Sequence, residues 1–374
     1  MKKAILPVLL FFCAFASAGS GRDFQMFSLE NTRCYDRVTM PHTFVVDTHN
    51  HFRPFGGPAI PFDEMLGFLL ENQVYFVNIY GIGQKLPAKS PCTYYLDCPG
   101  TPVIPSLTND YVNASNIAER LPNHLPKNIH LTLSMSFTDL AKPEDIVVKI
   151  KELDEEFPGM FTWMGEINVV KQALFQNKHL ATAESAIPKW RDFMGIMERR
   201  NIPVSFHSDL GNNQNPTRYK HLMVKILETY PRNTVVWHHM GLSKELSKMD
   251  PKKHIAIMKD FLDNNQSLYL DISWRVLYDY YFKEARSRKH YVDFFNSYST
   301  RILPGTDFVA AGNKTLEIYT DEVNANSDIL KDLNDEAFRN IALGQNYFNL
   351  LGLPFKAPEI CARPKVNTKG RGKK

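Results

Sequence analysis

The chain has 374 residues, of which 44% are hydrophobic and 22% are charged. This composition is typical of a globular protein and excludes a disordered or fibrous chain. Two of the 44 basic residues lie in the leader and six in the last twelve positions, which leaves 36 basic residues against 40 acidic ones in the body. A body of that charge cannot neutralise a run of phosphates, so we expect no nucleic-acid partner.

The first 18 residues have the pattern of a secretory signal peptide. Lys2 and Lys3 precede an apolar run over 4–15, and Ala16-Ser17-Ala18 offers small residues for cleavage. The run is too short for a permanent anchor, and no later stretch reaches about 20 apolar residues. The sequence therefore predicts a periplasmic or secreted protein without a membrane partner, built as a signal peptide (1–18), one domain (19–361) and a basic disordered tail (362–374).

Four cysteines follow the leader, an even number in a compartment that oxidises thiols. Cys92 and Cys98 flank a short loop next to prolines, and Cys34 and Cys361 lie near the two ends of the chain. Three pairings are conceivable, and we favour 92–98 with 34–361. The spacing does not suit a zinc site, so we interpret these cysteines as structural disulfides.

From Phe44 onward, short apolar runs rich in Val, Ile and Phe alternate with amphipathic stretches of helical length. This alternation is typical of repeated βα units and a parallel sheet. The predicted strands are 44–49, 74–80, 129–135, 160–168, 203–207, 234–239, 268–273 and 301–307. The predicted helices include 143–155, 187–200, 218–230, 252–264 and 277–298, and 336–351 follows the eighth strand. Eight such units predict a single-domain α/β fold, the (β/α)8 TIM barrel.

Two stretches exceed ordinary loop length, 81–127 after strand two and 308–334 after strand eight. We predict them to be long loops at the carboxyl ends of strands, where barrel active sites lie. They could act as lids or be surface decoration.

The most specific chemical signal is Asp47-Thr48-His49-Asn50-His51 at the end of strand one. Alternation along a strand would point Asp47, His49 and His51 the same way, into the barrel mouth. Two imidazoles at this spacing can bind one metal ion, although such a pair is ordinary by itself.

Further polar residues end other predicted strands: Glu166 on strand four, His207 on five, His239 on six and Asp307 on eight. Buried imidazoles and carboxylates are costly unless they are paired or bind metal. Their shared position at strand ends predicts a metal site. Strand alternation turns His238 away from the pocket, so we interpret it as a packed core histidine.

In these residues the sequence resembles the amidohydrolase superfamily, and within it the amidohydrolase-2 branch. The resemblance covers about 44–353 and includes Asp-x-His-x-His at 47–51, His207, His239 with Gly241, Gly305-Thr306-Asp307 and a closing helix over 346–353. It implies a distorted (β/α)8 barrel with one or two divalent ions. His49, His51 and Asp307 would hold the first ion, and His207 and His239 a second ion or the same one.

Glu166 departs from the members that bridge two ions with a carboxylated lysine on strand four, and resembles the TatD-like members instead. A glutamate there could bridge two ions, which we favour, or stand beside a single ion. Imidazole and carboxylate ligands suit zinc, with manganese, iron and nickel as alternatives. Asp307 is the expected general acid–base, and His239 could polarise the substrate by a hydrogen bond if it is not a ligand.

Substrate recognition is less well defined. Arg53 and Arg275 could each clamp an anionic group of a small-molecule substrate, and Tyr80 could line the pocket. The leading hypothesis is a metal-dependent hydrolase of a small ester, lactone, amide or phosphoester. The alternatives are a metal-dependent non-oxidative decarboxylase and a non-catalytic binding protein on the same barrel. The sequence leaves open whether the protein forms a homo-oligomer.

Overall fold

The computed structural model describes residues 23–87, 89–92, 96–121, 123–137, 140 and 142–362. The predicted signal peptide and all but the first residue of the predicted basic tail lie outside the described residues. Among the helices of this part of the chain, none is both long and apolar enough to cross a membrane.

The described residues form a mixed α/β architecture in which strands and helices alternate. The strands are β1 (Val46–His51), β2 (Phe76–Tyr80), β3 (Gln84–Lys85), β4 (Ile104–Pro105), β5 (His130–Met135), β6 (Phe161–Val170), β7 (Val204–Ser208), β8 (Val235–Trp237), β9 (Leu268–Asp271), β10 (Ile302–Leu303) and β11 (Phe308–Val309). The α-helices are α1 (Phe62–Glu71), α2 (Thr108–Arg120), α3 (Pro143–Glu156), α4 (Arg191–Arg200), α5 (Lys220–Thr229), α6 (Pro251–Asn264), α7 (Arg275–Leu277), α8 (Ala285–Ser297), α9 (Leu316–Ser327), α10 (Asp335–Ala337) and α11 (Gln345–Leu351).

Nine of these strands form one parallel, TIM-barrel-like sheet in the order β10-β9-β8-β7-β6-β5-β2-β1-β11. The two end strands, β10 and β11, are neighbours in the chain. The turn between them bonds to both sides of the sheet: the Pro304 carbonyl accepts from the Thr48 N–H at 2.9 Å, and the Thr306 carbonyl accepts from the Trp274 N–H at 3.3 Å. Predicted strand eight (301–307) is thus a strand only at β10, because the residues after it form this turn.

The strands are buried on both faces, as expected for a parallel sheet covered by helices. All five residues of β2 and all three of β8 are buried. The indoles of Trp163, Trp190 and Trp237 lie fully inside. The core therefore surrounds the sheet.

The two stretches predicted as long loops contain regular structure, so this part of the prediction was wrong. The first carries the β3–β4 hairpin and helix α2, and the second begins with β11 and carries helix α9. Helix α2 buries Asn109, Asp110 and Asn113 beside only two apolar residues. Because polar residues occupy the buried face, hydrophobic periodicity does not reveal this helix.

The two favoured disulfides are both present: Cys92 pairs with Cys98, and Cys34 with Cys361. The second closes a separation of 327 residues and is reinforced by backbone hydrogen bonds, since the Tyr35 N–H donates to the Glu359 carbonyl at 2.7 Å and the Cys361 N–H to the Tyr35 carbonyl at 3.0 Å. The two ends of the described chain are therefore fastened together beside the sheet.

Candidate metal centre

Four donor atoms from three separate segments converge at the carboxyl edge of the sheet. The Nε2 atoms of His49 and His51 lie 3.2 Å apart. Asp307 Oδ1 lies 3.3 Å from the first and 3.2 Å from the second, and Glu166 Oε2 lies 3.9 and 3.4 Å from them. The structure thus brings together four of the residues that the sequence predicted as ligands.

The separations fit a four-coordinate divalent ion. Bonds of about 2.0–2.1 Å in a tetrahedral site require ligand atoms about 3.3–3.4 Å apart. Two imidazole nitrogens and two carboxylate oxygens form a ligand set that zinc accepts, and one that manganese or iron also accepts. All four side chains are buried or nearly so, so a cation here would be shielded from competing water.

A second carboxylate fixes the orientation of His49. The Nδ1–H of His49 donates to Asp271 Oδ2 at 2.8 Å, and Ser273 Oγ lies 3.1 Å from the same nitrogen. A histidine that donates one N–H to a carboxylate presents its other nitrogen, here Nε2, as a free metal ligand. Asp271 ends β9 and was not among the predicted site residues.

The electrostatics of the centre favour a bound cation. Burial alone would lower the pKa of His49, but the carboxylates of Asp307 and Asp271 outweigh it and raise that pKa to about 10. Burial alone would raise the pKa of Asp307, yet the imidazoles of His49, His51 and His239 hold it below its usual range. Negative charge is thus concentrated at the point where the four donors meet.

Several residues around the centre have backbone conformations that non-glycine residues rarely adopt. His239, Trp274 and Asp307 all have positive φ angles, of 55°, 82° and 54°. Gly305 makes the close approach possible, because a Cβ there would lie 2.8 Å from the Cβ of His49 and 2.9 Å from that of Ser273. Such strain persists only where the surrounding structure enforces it, and it is characteristic of functional sites.

The other oxygen of Glu166 is already occupied. The ammonium of Lys171 donates to Oε1, and His207 Nδ1 lies 2.8 Å from the same atom. Burial alone would raise the pKa of Glu166, but Lys171 and His207 hold it well below its usual range. His207 Nε2 in turn binds Asp209 Oδ1 at 3.1 Å. His207 therefore meets the centre through Glu166.

His239 lies beside the four donors without joining them. Its Nδ1 is 3.2 Å from the Ser273 carbonyl, which can only accept, so Nδ1 carries the proton and Nε2 is an acceptor. Nε2 lies 3.8 Å from Asp307 Oδ2, and burial lowers the pKa of this imidazole to about 4. A neutral His239 in this form can accept a proton at Nε2.

A cavity of about 360 Å³ opens beside the centre. Polar groups lining it include His207, Asp307, Lys171, Arg275 and Lys314, and apolar groups include Trp274. Leu96, from the loop closed by the Cys92–Cys98 disulfide, also lines the wall. The first of the two predicted long stretches therefore does reach the active-site edge, as part of the cavity wall.

The three predicted substrate-binding residues have different positions. Arg275 lines the cavity, but its guanidinium pairs with Asp321 at 2.5 Å. Arg53 donates to Asn109 Oδ1 at 3.0 Å and is not among the residues that line the cavity. Tyr80 is buried beneath the centre, with its ring 4.7 Å from that of His49 and its hydroxyl 2.8 Å from Ser205 Oγ. Tyr80 thus packs against His49, one of the candidate metal ligands.

Two predicted orientations were wrong, both because strand alternation fails at the strand ends. The register of β1 shifts between Asp47 and Asn50, and the Asp47 carboxylate turns to accept from the N–H and hydroxyl of Thr306 at 2.9 and 2.6 Å. His238 belongs to a 3₁₀ turn, since β8 ends at Trp237, and its ring packs 4.1 Å from that of His49. Asp47 is a structural anchor, and His238 supports the centre.

Sequence reasoning missed Asp271 and Lys171. Asp271 lies within predicted strand seven, so the search for polar residues at strand ends could have found it. Lys171 follows directly on β6, which extends two residues beyond predicted strand four. A solitary lysine after a strand carries no signal of an internal ion pair, and only the fold reveals its role.

Comparisons with known proteins give a distant likeness in fold. No model of a protein family matches the chain, and a search of the curated proteins finds no match. Among solved structures, dihydroorotase from Saccharomyces cerevisiae in complex with 5-fluoroorotic acid is 11% identical, with 83% of this chain and 84% of that chain covered and a TM-score of 0.49.

Two further solved structures are similar over the whole of their length. A probable 2-pyrone-4,6-dicarboxylic acid hydrolase from Acinetobacter baumannii is 15% identical, covering 83% of this chain and 100% of that one, with a TM-score of 0.49. An amidohydrolase from Burkholderia multivorans with bound zinc is 10% identical over the same shares, with a TM-score of 0.48. At these identities and scores the likeness assigns no function. We therefore infer the function from the site residues alone.

Proposed function

We propose that this protein is a metal-dependent hydrolase of the amidohydrolase superfamily, acting on a small ester, lactone, amide or phosphoester. The observation that supports this most directly is the convergence of His49, His51, Glu166 and Asp307, in which each imidazole Nε2 lies 3.2–3.9 Å from the other three donor atoms. The Asp271 carboxylate behind His49 adds the outer support that metal-binding histidines usually have.

The chemistry divides between the ion and the protein. A divalent ion, when bound, would lower the pKa of its water to about 7 and would polarise a carbonyl or phosphoryl oxygen. Asp307 directs Oδ1 toward the histidines and leaves Oδ2 facing His239 Nε2. Asp307 is ionised at neutral pH and can accept a proton at Oδ2, and His239 Nε2 offers a second acceptor 3.8 Å away. The two together can hold the proton until the leaving group needs it.

We propose one ion per chain, in place of the two that we favoured from the sequence. Lys171 and His207 occupy Glu166 Oε1, which a bridging glutamate would offer to a second ion. An ammonium at that oxygen supplies a positive charge there without a metal.

We further propose that the protein is exported and that its sheet forms the predicted eight-stranded barrel. The two disulfides support export, since such bonds persist in oxidising compartments. The bonds from the turn between β10 and β11 to both sides of the sheet support closure.

The deciding experiment measures the metal content per chain by plasma mass spectrometry, on exported protein that has not been exposed to a chelator. The same protein is screened for hydrolysis of esters, lactones, amides and phosphoesters. We expect about one ion in the wild type and a large loss in His49→Ala. Asp307→Asn should abolish turnover in the screen. A wild-type protein without bound metal would contradict the proposal. Release of carbon dioxide from aromatic acids would instead support the alternative hypothesis of a decarboxylase.

A further inference from the structure

Four cationic side chains line the cavity beside the metal centre, and three of them are accounted for. Lys171 pairs with Glu166, and Arg275 pairs with Asp321 and, at 3.5 Å, with Asp279. Lys244 is exposed to solvent. The remaining cation is Lys314.

Lys314 is half-buried and has no ion-pair partner among the residues that the structure describes. No carboxylate oxygen of that part of the chain lies within 4.0 Å of its Nζ. The ammonium lies instead 4.5 Å from the centre of the Phe308 ring. Burial lowers the pKa of Lys314, and the negative charges of Glu322 and Asp307 partly oppose that shift. A partly desolvated ammonium without a partner is costly, and a bound anion would offset that cost.

The position of Lys314 is set by the same segment that carries a metal ligand. Seven residues after Asp307, its N–H donates to the Ala311 carbonyl at 2.9 Å. The Ala310 N–H just before this turn donates to the His51 carbonyl at 2.8 Å. The backbone that carries the Lys314 side chain is therefore held at a fixed place relative to the centre.

Lys314 also lies where two cavities meet. It lines the 360 Å³ cavity beside the centre and a second one of about 450 Å³, which also includes Asn313 and Gly312. Val309 also lines both cavities, so the wall that they share includes an apolar side chain beside Lys314. A small molecule with its reacting group at the centre could thus reach Lys314 across an apolar surface.

We propose that Lys314 determines specificity by binding a carboxylate of the substrate remote from the reacting bond, an inference that rests on the proposed hydrolase function. The substrate class is then a small hydrolysable molecule with an apolar spacer and a terminal carboxylate. Lys314 takes over the role that we expected of Arg53 and Arg275, both of which have protein partners. It touches the substrate as a point charge, so an arginine could replace it in part.

The test uses zinc-loaded protein and linear diacids from succinate to adipate, each compared with its monoamide by titration calorimetry. The expected result is a diacid that binds at least about tenfold more tightly than its monoamide to the wild type. In Lys314→Met this preference should fall to about one, and in Lys314→Arg it should be partly restored. Circular dichroism establishes that the variants are folded.

The control is Lys259→Met, which removes a lysine 5.9 Å from the Tyr298 ring on an exposed part of α6 and should keep the wild-type preference. A diacid preference that survives in Lys314→Met, or a wild type without one, would overturn the inference and leave the hydrolase proposal standing. If the wild type binds no divalent ion, the hydrolase proposal fails, and the same titrations on metal-free protein then test Lys314 by itself.

Discussion

At the scale of single residues, Asp271 shows how a group outside the ligand set controls the centre. Its carboxylate accepts from His49 Nδ1 at 2.8 Å and is fully buried. Burial alone would raise the pKa of Asp271, but the imidazole of His49 lowers it. The charge therefore stays on Asp271 and stabilises the form of His49 that presents Nε2 to a metal.

Replacing Asp271 with Asn should weaken metal binding about 10- to 100-fold, the usual effect of removing such an outer carboxylate. The measurement is zinc affinity by competition with a chromophoric chelator. Asp263→Asn is the matched control, because that exposed aspartate also accepts a single side-chain hydrogen bond, from Tyr298 at 2.6 Å. Equal affinities for Asp271→Asn and wild type would show that His49 needs no such support.

The proposal of one ion per chain assigns Lys171 the role of keeping a second ion out. In Lys171→Met the ammonium leaves Glu166 Oε1, and the group Glu166, His207 and His238, whose donor atoms lie within 4.8 Å of one another, becomes free to hold a second ion. We expect metal content to rise from about one toward about two ions per chain. Lys244→Met, an exposed lysine of the same cavity, should stay at about one. Two ions in the wild type would contradict the role given to Lys171.

Much of the site could be predicted because strand ends of a parallel barrel meet at one edge. This rule brought His49, His51, Glu166 and Asp307 together from sequence alone. It gave no orientation where the strand gives way to a turn, which is why the direction of His238 was wrong. Ion pairs such as Lys171 with Glu166 depend on side-chain reach, which no periodicity encodes.

At the scale of elements, side chains from two helices stabilise the turn that carries His239. His254 on α6 donates from Nε2 to the Met240 carbonyl at 2.9 Å, and Nδ1 accepts from the hydroxyl of Tyr291 on α8 at 2.9 Å. Both positions of the imidazole are thus used in its neutral form, and Met240 itself has a positive φ of 52°.

Stability should fall as the pH drops below about 6.5, because burial lowers the pKa of His254 to about 4 in the folded protein. Between these values the unfolded chain binds the proton more readily, so protonation favours unfolding. We expect His254 to contribute about 1–2 kcal/mol to the loss of unfolding free energy between pH 7 and pH 5.

Urea unfolding at the two pH values measures this contribution. His254→Gln should be less sensitive to pH than the wild type, while His221→Gln, at an exposed position of α5, should lose as much stability on acidification as the wild type does. A His254→Gln variant with undiminished pH sensitivity would mean that other groups account for the effect.

Two of the helices that sequence reasoning missed share a physical cause. Helix α9, like α2, buries polar residues, among them Asn326 and Ser327. Helices such as α3 and α6 were found because proline stands at the first turn and apolar residues recur on one face. Periodicity thus predicts a helix only when its buried side is apolar.

At the scale of the whole molecule, the two disulfides act on very different lengths of chain. Cys34–Cys361 closes a separation of 327 residues, and Cys92–Cys98 closes one of six. In the chain-entropy account, a bridge destabilises the unfolded state more when it closes a longer loop. The first bridge should therefore contribute more to global stability, and the second should act on the loop that carries Leu96.

The double variant Cys34→Ser/Cys361→Ser should lose about 2–5 kcal/mol of unfolding free energy, and Cys92→Ser/Cys98→Ser less. Chemical unfolding followed by intrinsic tryptophan fluorescence gives both values, since Trp163, Trp190 and Trp237 are fully buried. Equal losses in the two double variants would show that loop length does not govern the stabilisation.

The bridge between the chain ends also decides how the protein would respond to mechanical force. A load applied between residues 23 and 362 would pass through the Cys34–Cys361 bond and bypass the sheet. The disulfide, and not the strength of the strand pairing, would then limit how far the oxidised protein can be extended. Reduction of that single bond would transfer the load to the sheet and make on the order of 1,000 Å of chain available for extension.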